Sequence, residues 1–152
     1  MPISAPKLRT AAASDSDAIA ALLTELGHPA QAADIPARLS ALSRDGGAAI
    51  VAVDGDDHPL GLICLARITN VHSTGPIAYI TTLVTASAAR RRGIGKLLVA
   101  RAFEWARETK CSRLSVTSAE RRADAHAFYP KCGLPYTGRR FAIDLATAKS
   151  PA

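Results

Sequence analysis

The first third of the chain combines a short apolar run with two stretches of helical spacing. Residues 8–12 predict a first strand, and Ser14 is placed to cap the helix that follows. That helix ends at Gly27, and a second helix begins after Asp34 and ends near Asp45. The apolar faces of the two helices contain Ile19, Leu22, Leu23 and Leu26 in the first, and Ile35, Leu39 and Leu42 in the second.

The middle of the chain changes to apolar runs that are typical of strands. Residues 48–53, 60–68 and 77–85 form three such runs, and the GDDHP turn between the first two predicts a hairpin. Alternation along the third run predicts two faces, one with Tyr79, Thr81 and Leu83 and the other with Ile80, Thr82 and Val84.

The remaining third predicts one long helix and several short elements. The long helix has an apolar stripe formed by Ile94, Leu97, Leu98, Ala102, Trp105 and Ala106. A strand at 114–117, a helix at 123–129 closed by Pro130 and Gly133, and one or two strands within 136–145 complete the order. Helices interspersed among strands predict an α/β fold.

Length and charge narrow the choice of function. A chain of 152 residues predicts a single domain, 1–152, with a core of about 8–145. The net charge of +6 favours an anionic partner, such as a nucleic acid, a membrane surface or a phosphorylated cofactor. Aromatic residues are only 5% of the chain, which argues against a stacking platform for single-stranded nucleic acid.

Targeting signals and metal-ligand patterns are not found in the sequence. The amino terminus has no apolar signal segment and no run approaches the ~20 apolar residues of a membrane helix, so we expect a cytoplasmic protein without a membrane partner. The three cysteines, Cys64, Cys111 and Cys132, form no C-x-x-C pair. They are interpreted as buried or idle thiols, and no metal is expected.

The junction between the third strand and the long helix has the composition of an anion site. Arg90, Arg91, Arg92 and Lys96 surround two glycines, Gly93 and Gly95. Unpaired amides at a helix start bind phosphate, and glycine lets the ligand approach them. A Walker loop is excluded by Arg90 and Leu97, and a dinucleotide fingerprint by Leu98, because each stands where that pattern needs another residue.

Two motifs together resemble the GNAT superfamily of N-acetyltransferases. The segment Arg90-Arg91-Arg92-Gly93-Ile94-Gly95 resembles its acetyl-CoA loop, and the segment RRADAHAFYPKCGL resembles its second signature, which here contains Arg122, Ala125, His126, Phe128, Tyr129, Gly133 and Leu134. The resemblance implies a mixed, mostly antiparallel sheet of six to seven strands with about four helices. It also implies that the sheet splays between the fourth and fifth strands.

The resemblance also implies roles for individual residues. The loop from Arg90 through Arg91, Arg92, Gly93, Ile94 and Gly95 to Lys96 would bind the pyrophosphate of acetyl-CoA. The pantetheine arm would pair with the backbone near Leu83 and Val84. Tyr129 would protonate the departing thiolate, and the alternative is that Tyr129 only packs beside Phe128.

No general base is evident in the sequence. Thr81 and Thr82 stand where many relatives have a carboxylate, and threonine does not accept a proton at neutral pH. We therefore expect an acceptor whose amine has a low pKa, or deprotonation through water. His126 is an alternative base, and Ser118 and Arg122 are alternative cofactor contacts.

The function implied is transfer of an acetyl group from acetyl-CoA directly to a primary amine, on a small molecule or a peptide, within a ternary complex. Two alternatives remain: a toxin-like member that acetylates aminoacyl-tRNA, and a non-catalytic CoA-binding module. A nucleic-acid partner other than tRNA is not expected. Relatives are often dimers, so a homodimer is compatible with the resemblance.

Overall fold

A computed structural model of the chain describes residues 4–117, 123–138, 140–144 and 146. It divides between Val116 and Thr117 into two compact units, which are described separately. The single-domain organisation stays a prediction. The strands of the first unit are β1 (Lys7–Thr10), β2 (Ala48–Val53), β3 (Pro59–Ile68), β4 (Ile77–Thr85) and β5 (Arg113–Val116), and its helices are α1 (Ser16–Leu26), α2 (Ile35–Arg44) and α3 (Ile94–Glu108).

The five strands form one mixed sheet in the order β1-β2-β3-β4-β5. The first four pair antiparallel with their neighbours. After β4 the chain crosses through α3 and returns as β5, parallel to β4. The predicted α/β class and order of elements are therefore confirmed as far as α4 (Ala123–Lys131), the helix of the second unit.

Both faces of the sheet are covered, which explains the continuous apolar run of β2. Its residues Ala49, Val51 and Val53 share a core with Ile19 and Leu22 of α1, and with Ile35 of α2. Ile50 and Ala52 are also buried and point to the opposite face, where α3 packs. A strand that is buried on both faces has apolar residues at consecutive positions, and this is why the sequence pattern predicted β2 correctly.

The α3 stripe differs from its prediction at one position. Ile94, Leu98, Ala102 and Ala106 form an i, i+4 row that is buried against the sheet. Leu97 is 37% exposed, so its assignment to the buried stripe is wrong. Val99, which is 1% exposed, lies beside the row instead.

Only the first half of β4 pairs with β5. Pairing joins Ile77–Ile80 of β4 to Arg113–Val116 of β5, and β4 continues to Thr85. Within the described residues, the second half of β4 has a strand partner only on its β3 side. This geometry is the splay between the fourth and fifth strands that the resemblance implied.

A salt-bridged arginine fixes the start of α1. Arg9 of β1 donates two hydrogen bonds to Asp15, at 2.8 and 2.9 Å, and its Nε donates to Asp57 of the β2–β3 turn at 2.7 Å. Asp15 also accepts the amide of Ala12 at 2.8 Å. A 3-10 turn over Ala13–Asp15 therefore precedes α1, and the prediction that Ser14 caps this helix is wrong, because the buried Asp15 carboxylate organises the turn.

The second unit contains α4, which extends two residues beyond its predicted end. Leu134 donates its amide to the carbonyl of Tyr129 at 3.0 Å and Gly133 donates to Pro130 at 3.1 Å, a Schellman ending with Gly133 at φ 91°. The prediction of strands within 136–145 is wrong for the described residues 136–138 and 140–144, which have no strand structure; Arg139 and Leu145 lie outside them. Phe141 is 92% exposed, so the alternating apolar pattern there is not covered by a partner strand. The described sheet consequently has five strands in place of six to seven.

We expect Asp15→Asn to lower the free energy of unfolding by about 2 kcal/mol at pH 7, because it leaves the partly buried Arg9 guanidinium without its main counter-charge. The Arg9 guanidinium holds the pKa of the Asp15 carboxyl below its usual value of 3.8. A carboxyl with a lowered pKa stabilises the fold above the unfolded pKa and loses that contribution as pH falls through the folded pKa.

Urea denaturation between pH 7 and pH 2 is the measurement. The difference between the wild type and Asp15→Asn should shrink below about pH 4. Asp17→Asn is the matched control, because Asp17 is an exposed carboxylate in the first turn of α1, and its effect should stay within about 0.5 kcal/mol. A difference that stays constant down to pH 2 contradicts the assignment.

Candidate functional site

The glycine junction predicted from the sequence is a tight loop with two left-handed residues. A 3-10 turn over Ser87–Ala89 follows β4, and Arg90 then returns to extended backbone. Arg91 has φ 65° and Gly93 has φ 74°, after which α3 begins at Ile94. A Cβ added at Gly93 would meet no atom within 4 Å, so the glycine serves the backbone conformation and leaves open space above the helix start.

Six consecutive backbone amides in this loop, from Arg91 to Lys96, donate no hydrogen bond within the described residues. The first amide of the helix that finds an acceptor is that of Leu97, which donates to the Gly93 carbonyl at 3.0 Å. Unpaired amides at the positive end of a 15-residue helix attract an anion. The loop therefore has the donors that the sequence predicted for an anion site.

The cationic side chains of the loop are exposed. Arg90, Arg91, Arg92 and Lys96 form no ion pair within the described residues. The pKa of Asp54, in the β2–β3 turn, is lowered mainly because its carboxylate accepts the amide of His58, with a smaller contribution from the charge of Arg92. The positive charge of the four loop side chains is thus available to an anion that binds the loop amides.

Close packing beneath the loop fixes the position of the helix start. Ile94 is 1% exposed, and it lies over Gly61 of β3. A Cβ at Gly61 would stand 2.8 Å from Cγ2 of Ile94 and 3.1 Å from the carbonyl oxygen of Val84. Only glycine lets the first turn of α3 approach the sheet so closely.

A carboxylate of α1 contacts the turn before the loop. Glu25 accepts the backbone amide of Ser87 at 2.8 Å and the hydroxyl of Ser87 at 3.3 Å. Neither Glu25 nor Gly61 was recognised as part of the site from the sequence. A glutamate near a helix C-terminus, where the dipole disfavours an anion, was the available signal for Glu25.

The segment expected to pair with the pantetheine arm lies in the second half of β4, after Ile80, the last residue of β4 that pairs with β5. Leu83 pairs with Ile63 and Val84 with Leu62 on the β3 side. Thr82 lies opposite Cys64 and Ile80 opposite Leu65, so Thr81 is an extra residue on β4. This bulge breaks the strict alternation predicted for the strand and bends it at the point where β5 ends.

The two threonines at the bulge lie beside Cys64 of β3. The hydroxyl of Thr81 donates to the Cys64 carbonyl at 3.2 Å, and Thr82 lies opposite Cys64 in the strand pair, so both threonines are next to the residue that carries the Cys64 thiol. Burial raises the pKa of that thiol to about 11. Cys64, Cys111 and Cys132 form no disulfide within the described residues and are half-buried, and the interpretation of the three as idle thiols stays a prediction.

The second predicted motif lies on α4. Tyr129 is half-buried, and its ring meets Phe128 edge to face with the centroids 5.4 Å apart. Ala125 is buried and His126 is exposed. Arg122 and Ser118, the alternative cofactor contacts, lie outside the described residues.

Neither a metal site nor a membrane-spanning helix is found in the described part of the chain. Across the described ranges, no three His, Cys, Asp or Glu side chains are grouped so that they could hold a metal ion. No described helix has the length and hydropathy needed to cross a membrane.

The model of the acetyltransferase (GNAT) family matches residues 16–134, most of the chain. This chain belongs to the GNAT family of acetyltransferases. The mixed sheet, the four α-helices and the parting of β4 from β5 are accordingly the GNAT fold that the two motifs implied.

Individual relatives share this fold. The uncharacterized N-acetyltransferase YhdJ of Bacillus subtilis is 40% identical over 55 residues, which are 36% of this chain and 39% of that protein. A putative acetyltransferase from Agrobacterium tumefaciens is 26% identical with a TM-score of 0.80, over 91% of this chain and 99% of that one. AAC(6')-Iy, solved in complex with the bisubstrate analog CoA-S-monomethyl-acetylneamine, is 18% identical with a TM-score of 0.77, over 93% of this chain and 98% of that one.

Proposed function

We propose that this GNAT protein is an acetyl-CoA-dependent N-acetyltransferase whose loop from Arg90 to Lys96 binds the pyrophosphate of the cofactor. The observation that carries the proposal is the run of six amides without an acceptor at the start of α3. A pyrophosphate offers several anionic oxygens, which suit a row of N–H donors better than a single carboxylate does. Arg90, Arg91, Arg92 and Lys96 supply charge-assisted contacts from the exposed side.

The second half of β4 is proposed to hold the pantetheine arm. This arm contains two amide groups, and an extended chain with amides can pair with a strand edge as an added strand does. Residues beyond Ile80 have no strand partner on the β5 side within the described residues, and this part of β4 includes Leu83 and Val84. The bulge at Thr81 lies at the start of this open part.

Tyr129 is proposed as the proton donor to the departing sulfur. Acetyl-CoA supplies an acetyl group already activated as a thioester. A phenol of ordinary pKa, about 10, is protonated at neutral pH and can protonate a thiolate whose thiol titrates near 8.5. Support for this role comes from the position of Tyr129 in the second family motif, four residues after the buried Ala125.

Direct transfer from thioester to amine is the proposed route. In such a reaction the amine nitrogen attacks the thioester carbonyl, the C–S bond breaks, and the sulfur takes a proton. The neighbour AAC(6')-Iy was solved with an analog in which CoA and an acetylated aminoglycoside fragment are joined, and it has the same fold. That likeness supports a ternary complex and a small-molecule amine as the class of acceptor.

The acceptor is proposed to have an amine of low pKa, or to lose its proton through water. An aliphatic hydroxyl does not accept a proton at neutral pH, and the hydroxyl of Thr81 donates to the Cys64 carbonyl, so neither Thr81 nor Thr82 takes a proton from an ammonium group. At pH 7 about a tenth of an α-amino group with pKa near 8 is free, against ~0.04% of an alkyl amine with pKa 10.4. A site with threonines at 81 and 82, where many relatives have a carboxylate, favours the former.

We expect calorimetry to show saturable binding of CoA, and Gly93→Ala to weaken it at least about tenfold. The substitution disfavours the left-handed backbone that presents the amides, and it lowers stability by about 1 kcal/mol. Gly27→Ala is the matched control, since Gly27 has φ 97° and equally open surroundings but ends α1. It should lose similar stability and keep the CoA affinity; no CoA binding by the wild type at millimolar concentration refutes the proposed function.

Tyr129→Phe is expected to lower kcat on the order of 10²-fold, because it removes the proton for the leaving thiolate while leaving the ring contact with Phe128. CoA affinity should change little. Tyr136→Phe is the control within the same unit, because that tyrosine is 71% exposed. Steady-state rates with a panel of amines test this, and CoA binding without any turnover supports the non-catalytic alternative.

The pH dependence of kcat/KM should follow the amine and not a protein group. Between pH 7 and 9 the rate with an α-amino acceptor of pKa near 8 should rise about tenfold, and that with an alkyl amine of pKa 10.4 about a hundredfold. Matched acceptors that differ in amine pKa provide the test. A single ionisation near pH 6 to 7 that one side-chain substitution abolishes, His126→Gln for example, identifies a protein base and contradicts this inference.

A further inference from the structure

We propose that Glu25 is a positioning residue for the pyrophosphate loop, holding the loop's first residue through a relay of hydrogen bonds from α1. The inference rests on the proposed function of the loop. It assigns to an exposed carboxylate of α1 an effect on cofactor affinity although Glu25 lies outside both family motifs. Glu25 acts through Ser87 and need not touch the cofactor.

The contact between Glu25 and Ser87 is bidentate. Oε2 accepts the backbone amide of Ser87 at 2.8 Å, and Oε1 accepts its hydroxyl at 3.3 Å. The two residues are 62 positions apart in the sequence. A carboxylate that accepts the amide at the start of a helical turn acts as its cap, and this one is supplied by another helix.

The relay continues from Ser87 into the loop. Ser87 is the first residue of the 3-10 turn, and its carbonyl accepts the amide of Arg90 at 3.4 Å. Ala86, just before the turn, donates its amide to Leu60 of β3 at 2.8 Å, and Ala89 at its end is 2% exposed. The turn is thus held by the sheet on one side and by Glu25 on the other, and Arg90 follows directly.

The carboxylate itself is held on a rigid element. Glu25 lies in the last turn of α1, whose residues Ile19 and Leu22 are buried in the core. At that end the helix dipole disfavours a negative charge, so the position gives α1 itself no electrostatic benefit. The benefit goes instead to the otherwise unpaired amide of Ser87.

The hydrogen bonds of Glu25 are expected to favour cofactor binding, and its negative charge is expected to oppose it. A carboxylate near an anion site repels the phosphates, while its two hydrogen bonds order the turn that leads to them. Glutamine keeps an oxygen for the Ser87 amide and offers an NH₂ to the Ser87 hydroxyl, but it carries no charge. Glu25→Gln and Glu25→Ala therefore separate a positioning role from an effect of charge.

The experiment measures the Kd of CoA by calorimetry, with KM for acetyl-CoA and kcat, for the full chain. Glu25→Ala should raise Kd and KM about 5- to 30-fold with a smaller change in kcat, because one strong hydrogen bond that orders the turn is lost. Glu25→Gln should stay within about threefold of the wild type or bind more tightly. Glu104→Ala, which removes a 66% exposed glutamate whose ion pair is with Arg101, is the matched control and should not change binding.

Ser87→Ala removes only the hydroxyl contact and serves as the milder second variant, with an expected rise in Kd of about two- to threefold. If Glu25→Ala does not fold, the comparison rests on Glu25→Gln and Ser87→Ala. Amide hydrogen exchange gives a direct readout, since exchange at Arg90 should be faster in Glu25→Ala and in Ser87→Ala and unchanged in Glu104→Ala.

The possible results separate cleanly. Wild-type affinity and Arg90 exchange in Glu25→Ala, or, where that variant does not fold, in Ser87→Ala, overturn the positioning role. Equal losses in Glu25→Ala and Glu25→Gln also overturn it, because glutamine keeps an oxygen that can accept the Ser87 amide and should preserve the relay. A wild-type protein that binds no CoA refutes the proposed function itself, whereas binding by the wild type with no effect of Glu25 refutes only this inference.

Discussion

The contact between the first turn of α3 and β3 determines where the proposed anion site lies. At Gly61 there is no room for even one methyl group, because Ile94 packs against the strand and the Val84 carbonyl lies behind it. The helix start is therefore fixed by the core, and the unpaired amides are directed before any ligand arrives. Donors that are held in place in this way need little rearrangement on binding, which is what makes a backbone site effective for a phosphate.

Few contacts within the loop hold its conformation. Its four cationic side chains are exposed, and two of its residues, Arg91 and Gly93, have left-handed backbone. Order comes from its neighbours: Ile94 on Gly61 at one end, and the turn over Ser87–Ala89, held by β3 and Glu25, at the other. A segment that is proposed to bind a charged ligand can remain exposed because the elements on both sides are buried.

Local pattern was sufficient to predict the elements whose residues are buried by a regular repeat. The bounds of β2 and β4 follow from apolar runs, and the end of α1 follows from Gly27. The prediction that Ser14 caps α1 was wrong because Arg9 determines the start of this helix. Arg9 is itself bound by Asp57, which lies 48 positions from Arg9 in the sequence. The bulge at Thr81 and the exposure of Leu97 depend on how strands and helix meet, which a repeat along one segment does not contain.

In the candidate site, too, residues that are close together in sequence were predicted, and residues that meet only in the folded chain were missed. Both motifs were found because the glycines, the arginines and Tyr129 are close together along the chain, and the order of elements between them is that of the family. Gly61 and Glu25 were missed because each meets the loop only in the folded chain. The alternating apolar residues at 136–145 predicted strands, yet within the described residues Phe141 and Ile143 are exposed, so alternation indicated a tendency and not a formed ladder.

Cys64 illustrates how burial can protect an enzyme of this family from its own substrate. Thioesters are attacked by thiolates, and a cysteine beside the bulge of β4 is a nucleophile that could compete with an amine for the acetyl group. With a pKa of about 11, only about one molecule in 10⁴ carries the thiolate at pH 7. The same burial that packs the sheet thus disfavours the thiolate of Cys64, which is the form of the side chain that attacks thioesters and is oxidised.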